Sequence, residues 1–405
     1  MAKTLVVLGA SSDQLFLIRT AQHLGFFVLA LDMNPQSVGF SVADAYAVIS
    51  TRDVPAICRF LDEYRRNGQE IAGVITMGSD IPDVVAEVSH YLGTPSISRL
   101  TARWATNKYE MKLRFQMMGV PIPWFKKIQT MEELKAVIAD RGFPLVLKPI
   151  DRSGSRGVFL LADGCDVEDL FTKSRDFSYA GVCMVEEYLA GLQISTETVM
   201  FQGRGVTPGF ADRNYEYLDH FLPQIMENGG WVPSVVTPEQ RTAVEDLIVK
   251  ASLALGVVDG ITKGDVVLTS EGPKIIEMAA RLSGGDFCES LVPIGSGINY
   301  VEAAVCLATG QLPDLSKLQP VCDVAVANRY FFPPSGQLVR VEGADEVREK
   351  PWVKKLEFWY QPGDNVPPPL SHAHRFGVFL VTAPNRQELE RRVAWVYETI
   401  RIVTA

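Results

Sequence analysis

The sequence predicts an α/β protein in which an amino-terminal parallel-sheet domain is followed by sections of mixed α and β structure. Three observations predict this fold. Residues 1–95 alternate short apolar runs with helical stretches, the middle section places capped helices between apolar strands, and two strands near residue 270 bring acidic residues opposite each other. The chain of 405 residues is long enough for two or three domains.

The composition is typical of a globular protein, with 47% hydrophobic and 21% charged residues. The net charge of −9 and the lack of a block of like charge argue against nucleic-acid binding. The six cysteines are scattered without a closely spaced pair, so neither a disulfide framework nor a zinc site is expected. The first apolar run, Leu5 to Leu8, is too short for a signal peptide or a membrane span. We therefore expect a cytoplasmic protein with no membrane partner.

The first 95 residues predict a parallel sheet. Strands are expected over Thr4 to Leu8, Phe26 to Leu31 and Ile71 to Thr76, with a helix ending near Leu24. Ligands of such sheets bind at the carboxyl ends of the strands. The residues expected there are Gly9, Ser11, Asp32, Gly78 and Ser79. The loop at Gly9 lacks the later glycines of a dinucleotide fingerprint, so it is weak support for a nicotinamide cofactor.

The middle section is marked by two capping boxes, Thr130 to Glu133 and Thr237 to Gln240. The helices that they open are expected to end at Gly142 and Gly256. Strands are predicted at residues 145–149, 158–161 and 182–185. The stretch from Pro208 to Pro233 has no clean period and is expected to be a long functional loop. Its candidate substrate-facing residues are Asp212, Arg213, Tyr215 and His220.

The last section, from about Leu312, is expected to form a small mixed sheet covered by a terminal helix. A strand is predicted over Gly377 to Thr382, and an amphipathic helix begins after Pro384.

A β-hairpin is predicted between Lys263 and Arg281. With a turn at residues 270–272, Thr269 faces Pro273 and Asp265 faces Glu277. Alternation then places Lys263, Asp265, Glu277, Ala279 and Arg281 on one face. Opposed like charges destabilise a sheet, and few, hard oxygen ligands suit Mg²⁺ shared with phosphates. The alternative is a solvated hairpin with ordinary surface charge.

A glycine-containing loop joins two apolar strands and predicts a phosphate site. Its amides can form an anion nest, and its relevant residues are Ser153, Gly154, Ser155 and Gly157. Lys148 precedes the loop among apolar neighbours, so it needs an anionic partner, which is either a phosphate or a buried acidic side chain. A plain hairpin turn is the alternative for the loop.

Three further features each have two interpretations. Lys108 is either a second phosphate lysine or an ordinary exposed helix residue. The strand ending in Glu186 and Glu187 either offers backbone groups to an adenine or simply surfaces in acidic residues. Arg281, beside a glycine-rich turn, either binds a carboxylate or phosphoryl group or forms a salt bridge to Glu277 or Asp286.

Taken in order, these motifs resemble the ATP-grasp superfamily, especially its carboxylate–amine ligases such as the L-amino acid ligases, and the biotin carboxylase and carbamoyl-phosphate synthase group. The motifs are Val120 to Pro123, Leu147 to Pro149, Val185 to Leu189 and Ile276 to Arg281. The resemblance covers nearly the whole chain. It implies a pre-ATP-grasp domain over residues 1–95, an ATP-grasp domain over 96–312 with a lid at about 120–190, and a C-terminal subdomain over 313–405.

The resemblance also implies ATP and Mg²⁺, or Mn²⁺, as cofactors. Lys108, Lys148 and the glycine loop would contact phosphates, and Asp265 and Glu277 would bind the metal. Arg281, with Lys148, would act in catalysis by stabilising an acyl phosphate. The residues implied for the adenosine are Glu186, Glu187, Leu189 and Gln193. Those implied for substrate are Gly9, Ser11, Asp32, Gly78, Ser79, Asp212, Lys263, Ser283, Gly284 and Gly285.

Three positions depart from the family pattern. Gln193 stands where a glutamate often holds the ribose, Asp265 stands where the first metal acid is usually glutamate, and Ala279 stands where many members have an asparagine ligand. Ala279 leaves one metal position short of a ligand or filled by water.

The expected activity is an ATP-dependent ligase that joins a small-molecule carboxylate to an amine and releases ADP and phosphate. One alternative is a carboxylase that activates bicarbonate, and another is a nucleotide-binding protein without turnover. Because related enzymes are commonly dimers, a homodimer is also expected.

Overall fold

The computed structural model describes residues 2–405. Its amino-terminal part is a parallel sheet with the strand order β3-β2-β1-β4. The elements are β1 (Thr4–Leu8), α1 (Leu15–His23), β2 (Phe27–Asp32), β3 (Ala45–Val48), α2 (Val54–Arg66), β4 (Ile71–Ile75) and α3 (Pro82–Leu92). All five residues of β1 are buried, as in parallel sheets that are covered on both faces. The predicted parallel sheet is confirmed.

A second, antiparallel sheet has the order β5-β8-β6-β7. This section comprises α4 (Arg99–Thr106), α5 (Lys108–Met117), β5 (Phe125–Ile128), α6 (Met131–Arg141), β6 (Leu145–Pro149), β7 (Phe159–Leu161), α7 (Val167–Phe177) and β8 (Cys183–Glu187). The capping box of Thr130 and Glu133 is formed, and α6 ends before Gly142 as predicted.

An eight-stranded sheet forms the centre of the molecule, in the order β13-β12-β9-β10-β11-β14-β18-β16. The elements up to residue 312 are β9 (Leu192–Phe201), β10 (Arg204–Arg213), α8 (Leu218–Phe221), β11 (Gly230–Val232), α9 (Pro238–Ala254), β12 (Gly260–Thr269), β13 (Gly272–Ala279), α10 (Val292–Ser296) and α11 (Val301–Ala308). The capping box that opens α9 at Thr237 is also formed.

The prediction of a long loop between Pro208 and Pro233 is wrong. That stretch contains the second half of β10, the helix α8 and the strand β11. The pairing of β10 with β9 shifts register between Val206 and Gly209, on either side of Pro208. Because proline cannot donate to a sheet ladder, the register shift accommodates it, and this interruption hides the strand from a search for periodicity.

The C-terminal section extends the central sheet. It contains β14 (Ala325–Phe331), β15 (Gly336–Glu342), α12 (Ala344–Arg348), β16 (Val353–Phe358), β17 (Asn365–Val366), β18 (Gly377–Ala383), α13 (Arg386–Thr399) and β19 (Arg401–Thr404). The strands β14, β18 and β16 continue from β11, and β17, β15 and β19 form a small sheet of their own. The prediction of a mixed sheet in this section is wrong, because every strand pair here is antiparallel.

Within residues 2–405, no helix has both the length and the apolar character that crossing a membrane requires.

Replacing Phe115 by alanine tests the packing of α5 on α9. Phe115 is fully buried in a cluster with Met111 and Ile248, so we expect its truncation to lower the free energy of unfolding by about 3–5 kcal/mol. Leu113, on the same helix, is 38% exposed, and Leu113→Ala should change it by about 0.5 kcal/mol or less. Chemical denaturation measures both variants, and equal losses would contradict this packing.

Candidate active site

A cavity of about 720 Å³ lies where the parallel sheet, the second sheet, the central sheet and the C-terminal strands meet. Its lining runs from Asp13 near the amino terminus to Arg375 in the last section. Most residues that the sequence singled out for ATP, metal and catalysis line it, namely Lys108, Lys148, Ser153, Gly154, Ser155, Glu186, Glu187, Leu189, Gln193, Asp265, Glu277 and Arg281. Those predicted for substrate that also line it are Gly78, Ser79, Asp212, Arg213, Tyr215, Lys263, Ser283, Gly284 and Gly285.

Other predicted residues do not line the cavity. Asp32 accepts a hydrogen bond from the Ala10 amide at 2.8 Å, and the Ser11 amide donates to Gln14 at 2.8 Å. These contacts fix the shape of the first loop, so the structure gives Asp32 and Ser11 a structural role in place of the expected substrate contact. The remaining residues outside the lining are Gly9, Gly157 and His220.

The hairpin pairs its acidic residues as predicted. Asp265 lies opposite Glu277, and Lys263 lies opposite Ala279. The turn is one residue shorter than expected, because Thr269 pairs with Gly272 and not with Pro273. A β-bulge next to Asp265 places one extra residue in β13 and restores the pairing of the two acids.

Cations neutralise both acids of the hairpin, one from the same strand as Asp265 and two from other elements. The Asp265 carboxylate lies 2.6 Å from Lys263 Nζ and 2.9 Å from Arg213 Nη1. Glu277 Oε1 lies 2.5 Å from Lys108 Nζ. Burial disfavours the charged form of Asp265, but Lys263 and Arg213 outweigh it and hold the pKa of this carboxyl well below its usual range. Asp265 is therefore ionised at neutral pH.

Asp265 and Glu277 have the chemistry of a magnesium site that is shared with phosphates. Mg²⁺ is commonly held by one or two carboxylates, with phosphate oxygens and water completing its coordination. Residues 2–405 contain no cluster of three or more His, Cys, Asp or Glu side chains able to hold a metal ion on their own. Ala279 contributes no ligand. The donor set therefore fits a metal that arrives with a nucleotide.

A buried ion triad links α5, β6 and β8 at one wall of the cavity. Glu186 Oε2 is 2.6 Å from Lys148 Nζ, and Oε1 is 3.0 Å from Lys112 Nζ. All three side chains are at most 5% exposed. Lys148 was predicted to pair with either a phosphate or a buried acidic side chain, and in the structure it pairs with the acidic side chain of Glu186.

The position of Lys112 in the triad depends on where α5 begins. Asn107 caps this helix, which places Lys108 in its first turn and Lys112 one turn later. Burial lowers the pKa of Lys112 to about 8, although Glu186 opposes the shift. Burial likewise disfavours the Glu186 carboxylate, but Lys112 and Lys148 outweigh it and lower its pKa. Lys108 is also buried, which excludes the exposed alternative.

The strand β8 leads directly into the cavity wall. β8 is an interior strand, not a sheet edge, and its pairing stops at Glu187. Leu189 follows on the wall, and the adjacent lining is partly apolar, with Pro123, Val146 and Ile276. Free backbone groups just beyond a strand beside an apolar slot suit a planar base such as adenine.

The glycine loop touches two distant parts of the chain. Ser155 Oγ lies 3.0 Å from His372 Nε2, and the His372 amide donates to the Gly154 carbonyl at 3.3 Å. Ser153 lies close to the Asp80 carboxylate of the amino-terminal domain, and both line the cavity. Gly154 and Ser155 both have positive φ angles, 67° and 58°, the conformation that glycine adopts most readily. The loop therefore borders the cavity and is bound to the C-terminal section through His372, with Asp80 of the amino-terminal domain nearby.

Arg281 pairs with neither of the expected acids. Its Nε donates to Asp80 Oδ1 at 3.1 Å, across the boundary to the amino-terminal domain. Asp286 instead lies 2.7 Å from Lys355 Nζ. Burial disfavours the charged form of Arg281, but Asp80 outweighs it and raises its pKa. Arg281 thus presents a permanent positive charge to the cavity.

Glu197 supports the turn that follows Arg281. One carboxylate oxygen accepts a hydrogen bond from the Ser283 amide at 2.5 Å, and the other accepts from the Tyr300 hydroxyl. Burial raises the pKa of Glu197 to about 7, against the effect of these hydrogen bonds. The sequence analysis did not single out Glu197. Adjacent residues around it in β9 are polar, so the pattern does not show which side chains face the interior. Neither Glu197 nor Lys112, which was also missed, is part of the cavity lining, whereas the lining residues that the sequence missed include Asp13, Glu227, His372 and Arg375.

Comparison with known proteins identifies two domains in the chain. An ATP-grasp domain matches residues 105–285, and the L-amino acid ligase C-terminal domain 2 matches residues 329–405. The uncharacterized protein y4rH of Sinorhizobium fredii is 24% identical over 393 residues, which are 95% of this chain and 79% of that protein. The L-arginine-specific L-amino acid ligase of Bacillus subtilis is 22% identical over 317 residues, covering 76% of this chain and 74% of the relative.

A solved structure has the same fold over its full length. The L-amino acid ligase from Bacillus licheniformis superimposes with a TM-score of 0.84 at 20% identity, covering 100% of this chain and 99% of that one. Coverage of curated relatives is uneven, since the chain spans 79%, 40% and 65% of the first three that it matches. The expected ATP-grasp fold is confirmed.

Replacing Glu197 by glutamine should change how stability depends on pH. The folded protein holds the Glu197 proton with a pKa of about 7, against an ordinary 4.5. The resulting stabilisation is complete below about pH 4.5 and is lost as the pH rises through about 7, amounting to roughly 3 kcal/mol. Melting temperatures between pH 4.5 and 8 should therefore fall more in the wild type than in Glu197→Gln. An exposed control, Glu398→Gln, should keep the wild-type slope, and parallel curves for all three proteins would contradict the assignment.

Proposed function

The chain belongs to the ATP-grasp superfamily, and we propose that it is an ATP- and Mg²⁺-dependent carboxylate–amine ligase. The γ-phosphate of ATP passes to a substrate carboxylate, and an amine then displaces phosphate from the acyl phosphate to give an amide. The observation that carries the proposal is the convergence of Asp265, Glu277, Lys108, Lys148 and Arg281 on one cavity. These are the charges that phosphoryl transfer requires in one place.

The nucleotide half is pre-arranged by its own ion pairs. Lys108 and Lys148 are held at Glu277 and Glu186, so each ammonium is ordered before ATP arrives. Phosphate oxygens would compete well for these ammonium groups, because both lysine side chains are at most 8% exposed and charge interactions are strong where water is scarce. A bound Mg²⁺, held by Asp265 and Glu277, supplies charge neutralisation at the phosphates.

The reacting carboxylate belongs beside Arg281 in this proposal. Asp80 fixes the guanidinium, and Glu197 fixes the adjacent turn through the Ser283 amide. A positive charge held in a dry site stabilises negative charge that develops during transfer, without a reorganisation cost. The glycine loop over the cavity excludes water, which would otherwise hydrolyse an acyl phosphate.

The decisive experiment supplies ATP and Mg²⁺ with a mixed pool of carboxylates and amines and identifies products by mass spectrometry. Amide formation with equivalent ADP supports the ligase. ADP formation with bicarbonate alone would establish a carboxylase instead. ATP binding without Mg²⁺-dependent ADP release in any pool would leave a nucleotide-binding protein. The homodimer and the cytoplasmic location remain predictions from the sequence.

Glu277→Gln tests the metal site. The substitution keeps the size of the side chain but removes a charged oxygen ligand, so Mg²⁺-dependent ADP formation should fall by about 100-fold or more. The far-ultraviolet spectrum should be unchanged. Glu271→Gln, in the exposed turn of the same hairpin, is the matched control and should retain full activity. Near-normal turnover in Glu277→Gln would refute the metal assignment.

A further inference from the structure

Three arginines in the wall of the cavity have no acidic partner. Of the nine lysine and arginine side chains that line the cavity, six lie at most 3.1 Å from a carboxylate oxygen. The other three, Arg52, Arg152 and Arg156, form no ion pair within residues 2–405. Arg152 and Arg156 donate to backbone carbonyls, those of Phe177 and Ser153. The protein therefore leaves the positive charge of this part of the wall unneutralised.

One tyrosine brings two of these arginines together from different domains. The guanidinium carbon of Arg152, just before the glycine loop, lies 3.6 Å from the centre of the Tyr179 ring. That of Arg52, which follows β3 in the amino-terminal domain, lies 5.8 Å from the centre of the same ring. The ring attracts both cations, but the two charges repel each other. An anion that binds Arg52 and Arg152, the arginine pair, removes this repulsion.

The acids next to the arginine pair in the sequence are engaged elsewhere. The carboxylate of Asp151 accepts hydrogen bonds from the amides of Tyr179 and Ala180, at 3.2 and 2.9 Å. The carboxylate of Asp53 accepts a hydrogen bond from the Ala56 amide at 3.0 Å and caps α2. Neither acid lines the cavity. The negative charge for the arginine pair is therefore expected from a ligand.

A series of contacts connects the arginine pair with Arg281, where the proposed chemistry takes place. Arg281 Nε lies 3.1 Å from Asp80 Oδ1. Asp80 in turn lies close to Ser153, the residue after Arg152, and all of these residues line the cavity. The nucleotide proposed at β6 and β8 does not explain Arg52, because that arginine belongs to the amino-terminal domain. An acid that is activated beside Arg281 can instead extend along this domain to Arg52.

The amino-terminal sheet sets the length of such a substrate. Asp80 follows β4 and Arg52 follows β3, at the carboxyl edge of one parallel sheet. Because β3 and β4 are its outer strands, they lie three strand spacings, or roughly 14 Å, apart. The arginine side chains at both ends shorten the gap that the ligand has to span. The second anionic group is therefore several bonds away from the reacting carboxylate.

We propose that Arg52 and Arg152 bind a second anionic group of the carboxylate substrate, either a phosphate or a further carboxylate, at the end remote from the bond that forms. The inference rests on the proposed ligase function and adds the class of the carboxylate substrate, which is an elongated dianionic acid. Guanidinium groups suit both oxyanions, because each presents a planar fork of donors that matches carboxylate and phosphate oxygens.

Calorimetry with acids that differ only at the remote end tests the subsite. The wild type is first saturated with Mg²⁺ and a non-hydrolysable ATP analogue, so that the phosphate sites of the nucleotide are filled. 6-Phosphonohexanoate is compared with hexanoate, and octanedioate with octanoate, so that the two pairs distinguish a phosphate-type ligand from a carboxylate. At least one dianion should bind about tenfold or more tightly than its monoanion, and this gain should shrink as salt is raised.

Substitutions assign the gain to named side chains. Arg52→Met and Arg152→Met should each reduce it to about threefold or less, because one of two cations is lost. Arg52 is exposed, so its substitution should leave the fold intact and the affinity for the ATP analogue unchanged. Arg66→Met, also exposed on the amino-terminal domain but outside the cavity, is the matched control and should keep the wild-type gain.

Several outcomes would overturn the subsite. They are equal binding within both pairs of acids, no binding of any of the four, and an unchanged gain in Arg52→Met. A loss of affinity for the ATP analogue alone in that variant would assign the arginine pair to the nucleotide instead. The ligase fails separately. Amide formation from monoanionic acids only would refute the subsite and keep the ligase, whereas dianion binding without ADP formation in any pool would leave an anion site without the ligase.

Discussion

The buried carboxylate of Glu186 fixes the side of the cavity that we propose for the nucleotide. It binds Lys112 from α5 and Lys148 from β6, so one side chain joins the helix before the second sheet to the sheet itself. Three charges at this depth are tolerated only as a paired group, and removing one partner leaves an uncompensated charge. The triad therefore sets where Lys148 points and places β8, which carries Glu186, at the cavity wall.

The same rule organises the rest of the site. Glu277 pairs with Lys108, and Arg281 pairs with Asp80, so each contact links a residue of the hairpin to a different part of the chain. His372 extends this pattern to the glycine loop through Ser155. The C-terminal section thus completes the cavity and is not merely packed against it, which is consistent with its strands continuing the central sheet.

Features that depend on the local sequence pattern were predicted from the sequence, whereas contacts between residues far apart in the chain were not. The pairing of Asp265 with Glu277 follows from strand alternation, and the need of Lys148 for an anion follows from its apolar neighbours. The identity of that anion could not be predicted, because Glu186 lies 38 positions further along the chain. Arg281 was assigned nearby acids, whereas its partner belongs to another domain. The loss of periodicity around Pro208 concealed β10 for a local reason.

Ala279, which stands where the family resemblance implies a third metal ligand, lies beside the charged side chains of the hairpin. Ala279 lies directly opposite Lys263, whose ammonium reaches the Asp265 carboxylate at 2.6 Å. An asparagine at this position would offer a neutral oxygen beside that lysine, whereas alanine leaves the space to the cation. Asp265 contacts two cations, Lys263 and Arg213, and Glu277 contacts one, Lys108. Of the two acids, Glu277 is the less neutralised and the more exposed, at 28% against 20%, so it is the better placed to bind the metal that we propose.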